Sequence, residues 1–214
     1  TSLYNIIDSI FIGRGVGSMA ITGLAITFPL MNLVVAFCVL IAVGGSTISS
    51  IFLGQKNMER ASAVVGNVTI VCLIHAVAIV IMGLVFLDPI LIFFGATDAT
   101  IPYAREFMAI ILMGTPISYV FLGLNNIMRA TGYPRKAMIS ALLSVLVNII
   151  AAPIMIFTLG WGIAGAALAT IGGQTAAFVW VIIHFSSSKS YIHFTKSCWK
   201  LSWPLIRRMY SIGL

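Results

Sequence analysis

The sequence predicts an all-α membrane protein. Hydrophobic residues make up 60% of the 214 positions and charged residues only 8%, and no Lys, Arg, Asp or Glu occurs in residues 15–55, 61–87 or 137–188. A soluble domain carries about 25% charged residues. Mean hydropathy is +1.11.

A spanning helix needs about 20 apolar residues, and the chain divides into such lengths in order. A first helix ends near Gly13-Arg14, before the turn-like Gly15-Val16-Gly17-Ser18. The second span runs from Leu24 to Leu53, with Pro29 near its start and Gly44-Gly45-Ser46 as a small-residue surface for close helix packing. A polar loop from Gly54 to Arg60 precedes the third span, within residues 61–87, with His75 in its middle. Asp88-Pro89 ends or bends that helix. Ile90 to Phe94 reads as a short interfacial piece, followed by a turn at Gly95-Ala96-Thr97-Asp98.

The fourth span covers Tyr103 to Met128, with Pro116 as a candidate kink, and leads into a tight basic turn from Arg129 to Lys136. The fifth, Ala137 to Leu159, contains Asn148 and Pro153. Gly160-Trp161-Gly162 separates it from the sixth, Ile163 to Phe185. A basic loop then runs from Ser186 through Lys196 and Lys200, and Trp203 to Leu214 begins a seventh span. The chain opens at Thr1 inside an apolar helix and stops as another begins, which reads as a fragment cut at both ends.

The net charge of +7 raises nucleic acid as a partner, but the basic residues lie in short loops between apolar runs, which is membrane topology and not a nucleic-acid-binding face. With the N-terminus cytoplasmic, ten of the Lys and Arg residues fall on the cytoplasmic side and two, Arg14 and Arg105, on the outer side. That asymmetry obeys the positive-inside rule and predicts a multi-pass protein of the cell (inner or plasma) membrane. The cysteines, Cys38, Cys72 and Cys198, are odd in number and form no CxxC, so neither a disulfide framework nor a zinc site is expected. No HExxH, GxSxG or Walker glycine loop is present, and the chain does not read as an enzyme.

Asp8 is the first candidate for function, because isoleucine and phenylalanine surround it in sequence. A carboxylate inside hydrocarbon costs roughly 2.5–3.5 kcal/mol on insertion scales and is tolerated where it faces a cavity, a partner or a cation. Asp8 precedes Arg14 by six residues, which places it ~9 Å below the outer end of its helix. Thr170 comes out ~10 Å deep and Asn148 ~16 Å deep by the same rise, with Tyr4 one turn below Asp8. These four occupy a band in the outer half of the membrane; plain interhelical hydrogen bonding, worth ~0.6 kcal/mol, is the structural alternative. For His75 the alternatives are a packing role, the commoner one for a lone histidine, and a proton relay.

Tyr4-x-x-x-Asp8-x-x-Phe11-Ile12-Gly13 followed by Phe28-Pro29-Leu30 resembles the first two helices of the multidrug and toxic compound extrusion (MATE) transporters. Gly44-Gly45 with Leu53-Gly54, Arg129-Ala130-x-Gly132 with Lys136, and the run from Gly165 to Thr170 are similar to the same family in order and spacing. The resemblance implies a twelve-helix protein of two six-helix lobes. Residues 1–202 would be the N-terminal lobe and 203–214 the start of the seventh helix, the C-terminal lobe being the missing partner.

The resemblance also implies a cation-coupled antiporter, driven by H+ or Na+, that exports drugs or amphiphilic, often cationic, small molecules by alternating access and needs no organic cofactor. A flippase for a lipid-linked precursor or polysaccharide, which shares the fold, is the alternative. Tyr4, Asp8, Asn148 and Thr170 match the family's cation pocket, with Asp8 the carboxylate for H+ or Na+, and Pro29 and Pro153 are flexible points for helix bending. One departure stands out: where one branch of the family has a second aspartate just before Pro153, this chain has Ala152.

Overall fold

The computed structural model describes residues 2–187 and 190–213; the side chains of residues 2–8, 196 and 197 lie outside the described residues. The helices, in chain order, are α1 (Ser2–Gly15), α2 (Ser18–Gly54), α3 (Met58–Val85), α4 (Leu87–Phe93), α5 (Ile101–Ala130), α6 (Pro134–Pro153), α7 (Gly162–Ser186) and α8 (Trp203–Gly213). A π-helical turn, Ile154–Thr158, continues α6, and a short 3-10 turn, Lys196–Trp199, lies in the connector between α7 and α8. Five stretches, Ser18–Gly54, Met58–Val85, Ile101–Ala130, Pro134–Thr158 and Gly162–Ser186, are long and apolar enough to cross a membrane. With α1 they make a six-helix lobe, so the chain is a multi-pass membrane protein.

The helix ends follow from local chemistry. At the end of α2 the Asn57 N–H donates to the Phe52 carbonyl and the Lys56 N–H to that of Leu53, at 2.9 Å each. This closure needs a left-handed residue, and Lys56 supplies it with φ 58°. Gly132 does the same for α5 with φ 96°, an angle that costs glycine nothing. Asn57 also caps α3, accepting the Arg60 N–H on its side-chain oxygen at 3.1 Å. Pro134 opens α6, where its missing N–H leaves no bond unmade.

The expected boundaries shift in three places. The second span is longer than Leu24–Leu53, because α2 runs unbroken for 37 residues through Pro29. α3 ends at Val85 and not at residue 87, just before Asp88 and Pro89, which lie in the first turn of α4, a position proline tolerates. The fifth span divides at Pro153, where α6 gives way to the π-helical turn closed by the Leu159 N–H on the Ile154 carbonyl at 3.0 Å. Pro116 lies inside a continuous α5.

The chain divides into two compact units, residues 1–34, 78–115 and 143–176 in the first and residues 35–77, 116–142 and 177–214 in the second. In the first, Ile12, Leu24, Phe107, Ala152, Ile156 and Ala166 form an apolar cluster contributed by α1, α2, α5, α6 and α7. A neighbouring cluster joins Leu30, Leu91, Ala104 and Met108, and an Arg105–Asp88 ion pair at 3.4 Å ties α5 to α4 at an exposed edge. In the second unit, a side chain on Gly44 would collide with the Met209 carbonyl of α8, so the small-residue surface brings those two backbones together.

Candidate functional site

Asn148 and Thr170 come from α6 and α7 of the first unit. Their meeting depends on Gly173, one turn beyond Thr170, where any side chain would strike the Ser144 carbonyl of α6. Backbones that close let a short and a medium side chain bridge two helices. The Asn148 side-chain amide donates to the Thr170 hydroxyl at 3.2 Å, and that hydroxyl donates to the Ala166 carbonyl at 3.1 Å. Both residues are buried, Asn148 completely. Their difference in expected depth does not keep them apart.

The apolar wall continues beside this pair. Ala152, one turn beyond Asn148, is fully buried in the cluster that includes Ile12 of α1 and Ala166 of α7. The position that departs from the resemblance is thus filled by a methyl group against methyl groups. Pro153 closes α6 immediately before the π-helical turn, and Pro29 is an exposed residue inside α2. Tyr4 and Asp8 lie on α1, but their side chains fall outside the described residues. Among the described residues no group of three His, Cys, Asp or Glu side chains gathers to hold a metal ion.

The second unit holds polar contacts that sequence reasoning missed. The Tyr210 hydroxyl of α8 lies 2.7 Å from His75 Nε2, and His75 Nδ1 lies 3.0 Å from the Val71 carbonyl of its own helix. A proton on Nδ1 satisfies both contacts, with Nε2 accepting from the phenol. Asn67 of α3 donates to the Lys200 carbonyl at 3.1 Å and accepts the Ser202 N–H at 2.9 Å, clamping the connector. The available signal was the α8 stripe Ile206, Met209, Tyr210 and Gly213, at helical spacing opposite the exposed Arg207 and Arg208.

A family model described as MatE matches residues 1–154. The chain belongs to the MatE family. The MatE chain is 31% identical over 212 residues to the multidrug export protein MepA of Staphylococcus haemolyticus (strain JCSC1435), covering 99% of this chain and 47% of that protein. It therefore spans about half the length of the curated relatives it matches. Among solved structures, it is similar to a multidrug resistance MATE family transporter in an inward-facing conformation, with TM-score 0.93 and 27% identity over 99% of this chain and 48% of that one. An outward-facing conformation of such a transporter matches with TM-score 0.91 and 27% identity, again over 99% of this chain and 47% of that one.

Proposed function

We propose that this chain forms the first lobe of a cation-coupled exporter, with residues 1–202 as the six-helix lobe and residues 203–214 as the start of the seventh helix of a second lobe. The N-terminus is cytoplasmic, and the membrane is the cell membrane. The observation that carries the reading is the buried Asn148–Thr170 contact beside the apolar cluster of Ile12, Ala152 and Ala166. Asp8 precedes by one helical turn Ile12, which is buried in the same cluster as Ala152 and Ala166. A carboxylate at that level supplies the charge for H+ or Na+, and an amide, a hydroxyl and the Tyr4 phenol supply neutral oxygens of the kind hard cations accept.

One carboxylate is enough for one monovalent cation, so Ala152 does not remove the site. Occupancy of Asp8 biases the bend of α1, with Pro29 and Pro153 as the points where α2 and the end of α6 yield. The π-helical turn after Pro153 supports that role, since such turns recur at functional positions. Alternating access and a drug or amphiphilic cargo are supported by relatives described as multidrug exporters and by neighbours solved facing inward and outward.

The test is efflux of a fluorescent cationic dye from vesicles holding the intact protein, under an imposed pH gradient and then an imposed sodium gradient. Efflux driven by one of them is expected. Efflux that responds to neither contradicts the reading.

A further inference from the structure

A groove of about 500 Å³ opens in the second unit, between α3, α5 and α7, with Phe194 and Trp199 of the connector at one end. Phe178, Ile182 and Ser186 recur every four residues and form one stripe of α7 along it. From Ser186 to Phe178 the stripe runs ~12 Å, close to the ~15 Å of hydrocarbon in one leaflet. The floor is apolar, with Pro116 and Val120 from α5, and the Thr69 hydroxyl in the wall donates back to the Val65 carbonyl of its own helix at 2.8 Å. None of the described lining residues is charged.

The rim has the opposite character. Trp199 is half exposed and stacks on Phe194 at 5.5 Å with an interplanar angle of 14°. An amphipathic aromatic of this kind marks headgroup level. Lys200 follows Trp199 and is exposed, its backbone held by the Asn67 clamp, and Lys196 opens the same 3-10 turn in sequence.

We propose that the groove binds one acyl chain of an anionic phospholipid, with the headgroup at the Trp199–Lys200 rim. Length and lining select a hydrocarbon chain. The charge selects the headgroup: a cationic amphiphile finds no carboxylate among the described lining residues, whereas the exposed Lys200, next in the chain to Trp199, offers a counter-ion to a phosphodiester with net negative charge. This inference is independent of the coupling-ion reading, because it uses only residues of the second unit.

The probe is phosphatidylglycerol with brominated acyl chains, compared with brominated phosphatidylcholine, in vesicles containing the intact protein. Bromine quenches tryptophan on contact, and the difference between the native protein and Trp199→Phe isolates the signal of Trp199. We expect phosphatidylglycerol to quench Trp199 at about fivefold lower mole fraction, the effect of one basic residue near the membrane surface. Lys200→Gln removes most of that preference and leaves quenching itself intact, whereas Val120→Phe, which fills the groove, weakens quenching by both lipids. Equal quenching by the two lipids in the native protein would overturn the proposal. So would an absence of quenching, which means that protein covers the groove, or relief of quenching by tetraphenylphosphonium, which makes it a cargo subsite.

Discussion

Asn148 of α6 and Thr170 of α7 are joined by a 3.2 Å hydrogen bond between two buried side chains, in a wall where Ala152, Ile156 and Ala166 are also buried. A polar contact there has two possible uses, and their magnitudes separate them. A structural interhelical bond contributes ~0.6 kcal/mol, while each tenfold in rate is ~1.4 kcal/mol of barrier. Thr170→Val keeps the shape and removes the acceptor. Its Tm should fall by roughly 1–3 °C, while gradient-driven efflux should fall about tenfold or more. A stability loss with undiminished efflux would leave the bond a structural one.

Gly173 makes that contact possible, because its missing side chain admits the Ser144 carbonyl. Gly173→Val should force α6 and α7 apart at a cost of about 1–3 kcal/mol, the usual range for overpacking. Thermal unfolding in detergent measures the loss. Gly172→Ala is the control, since nothing lies within 4 Å of a side chain added there.

Tyr210 and His75 fasten α8 to α3 through a 2.7 Å contact. Tyr210→Phe should speed hydrogen exchange at the α8 amides and leave α1 unchanged. His75→Phe should produce the same change, and the double variant should add little to either, because both remove one interaction. Independent, additive effects would mean that the two rings are not coupled.

Ala152 lies where the resemblance expects a carboxylate, and it is fully buried among apolar side chains. Ala152→Asp should therefore destabilise the protein by about 2.5–3.5 kcal/mol, the cost of a charged residue at depth. Thermal unfolding measures it. A neutral result would mean that a cavity or cation already serves that position.

The helices were legible because membrane spans announce themselves: uncharged runs such as residues 61–87 admit few other readings. Their ends were less so. α2 extends to Ser18, six residues before the expected start, because Gly23 and Leu24 are buried in the same helix that the sequence places after a turn. The Schellman end at Lys56 was hidden because lysine rarely adopts positive φ. For the site, depth along each helix put Asn148 and Thr170 in one band, but rotation about the helix axis is a property of packing. That packing rests on Gly173, one glycine among nineteen. His75 was visible alone, whereas its partner Tyr210 lies 135 residues later on a helix whose place is set by tertiary contact.

In the proposed function Asp8 carries the coupling cation. The most direct test is Asp8→Asn in the intact protein, reconstituted in vesicles at matched yield, with dye efflux measured under the gradient that drives the native protein. Gradient-driven efflux should be lost while dye binding is retained. Undiminished coupled efflux in Asp8→Asn would contradict it.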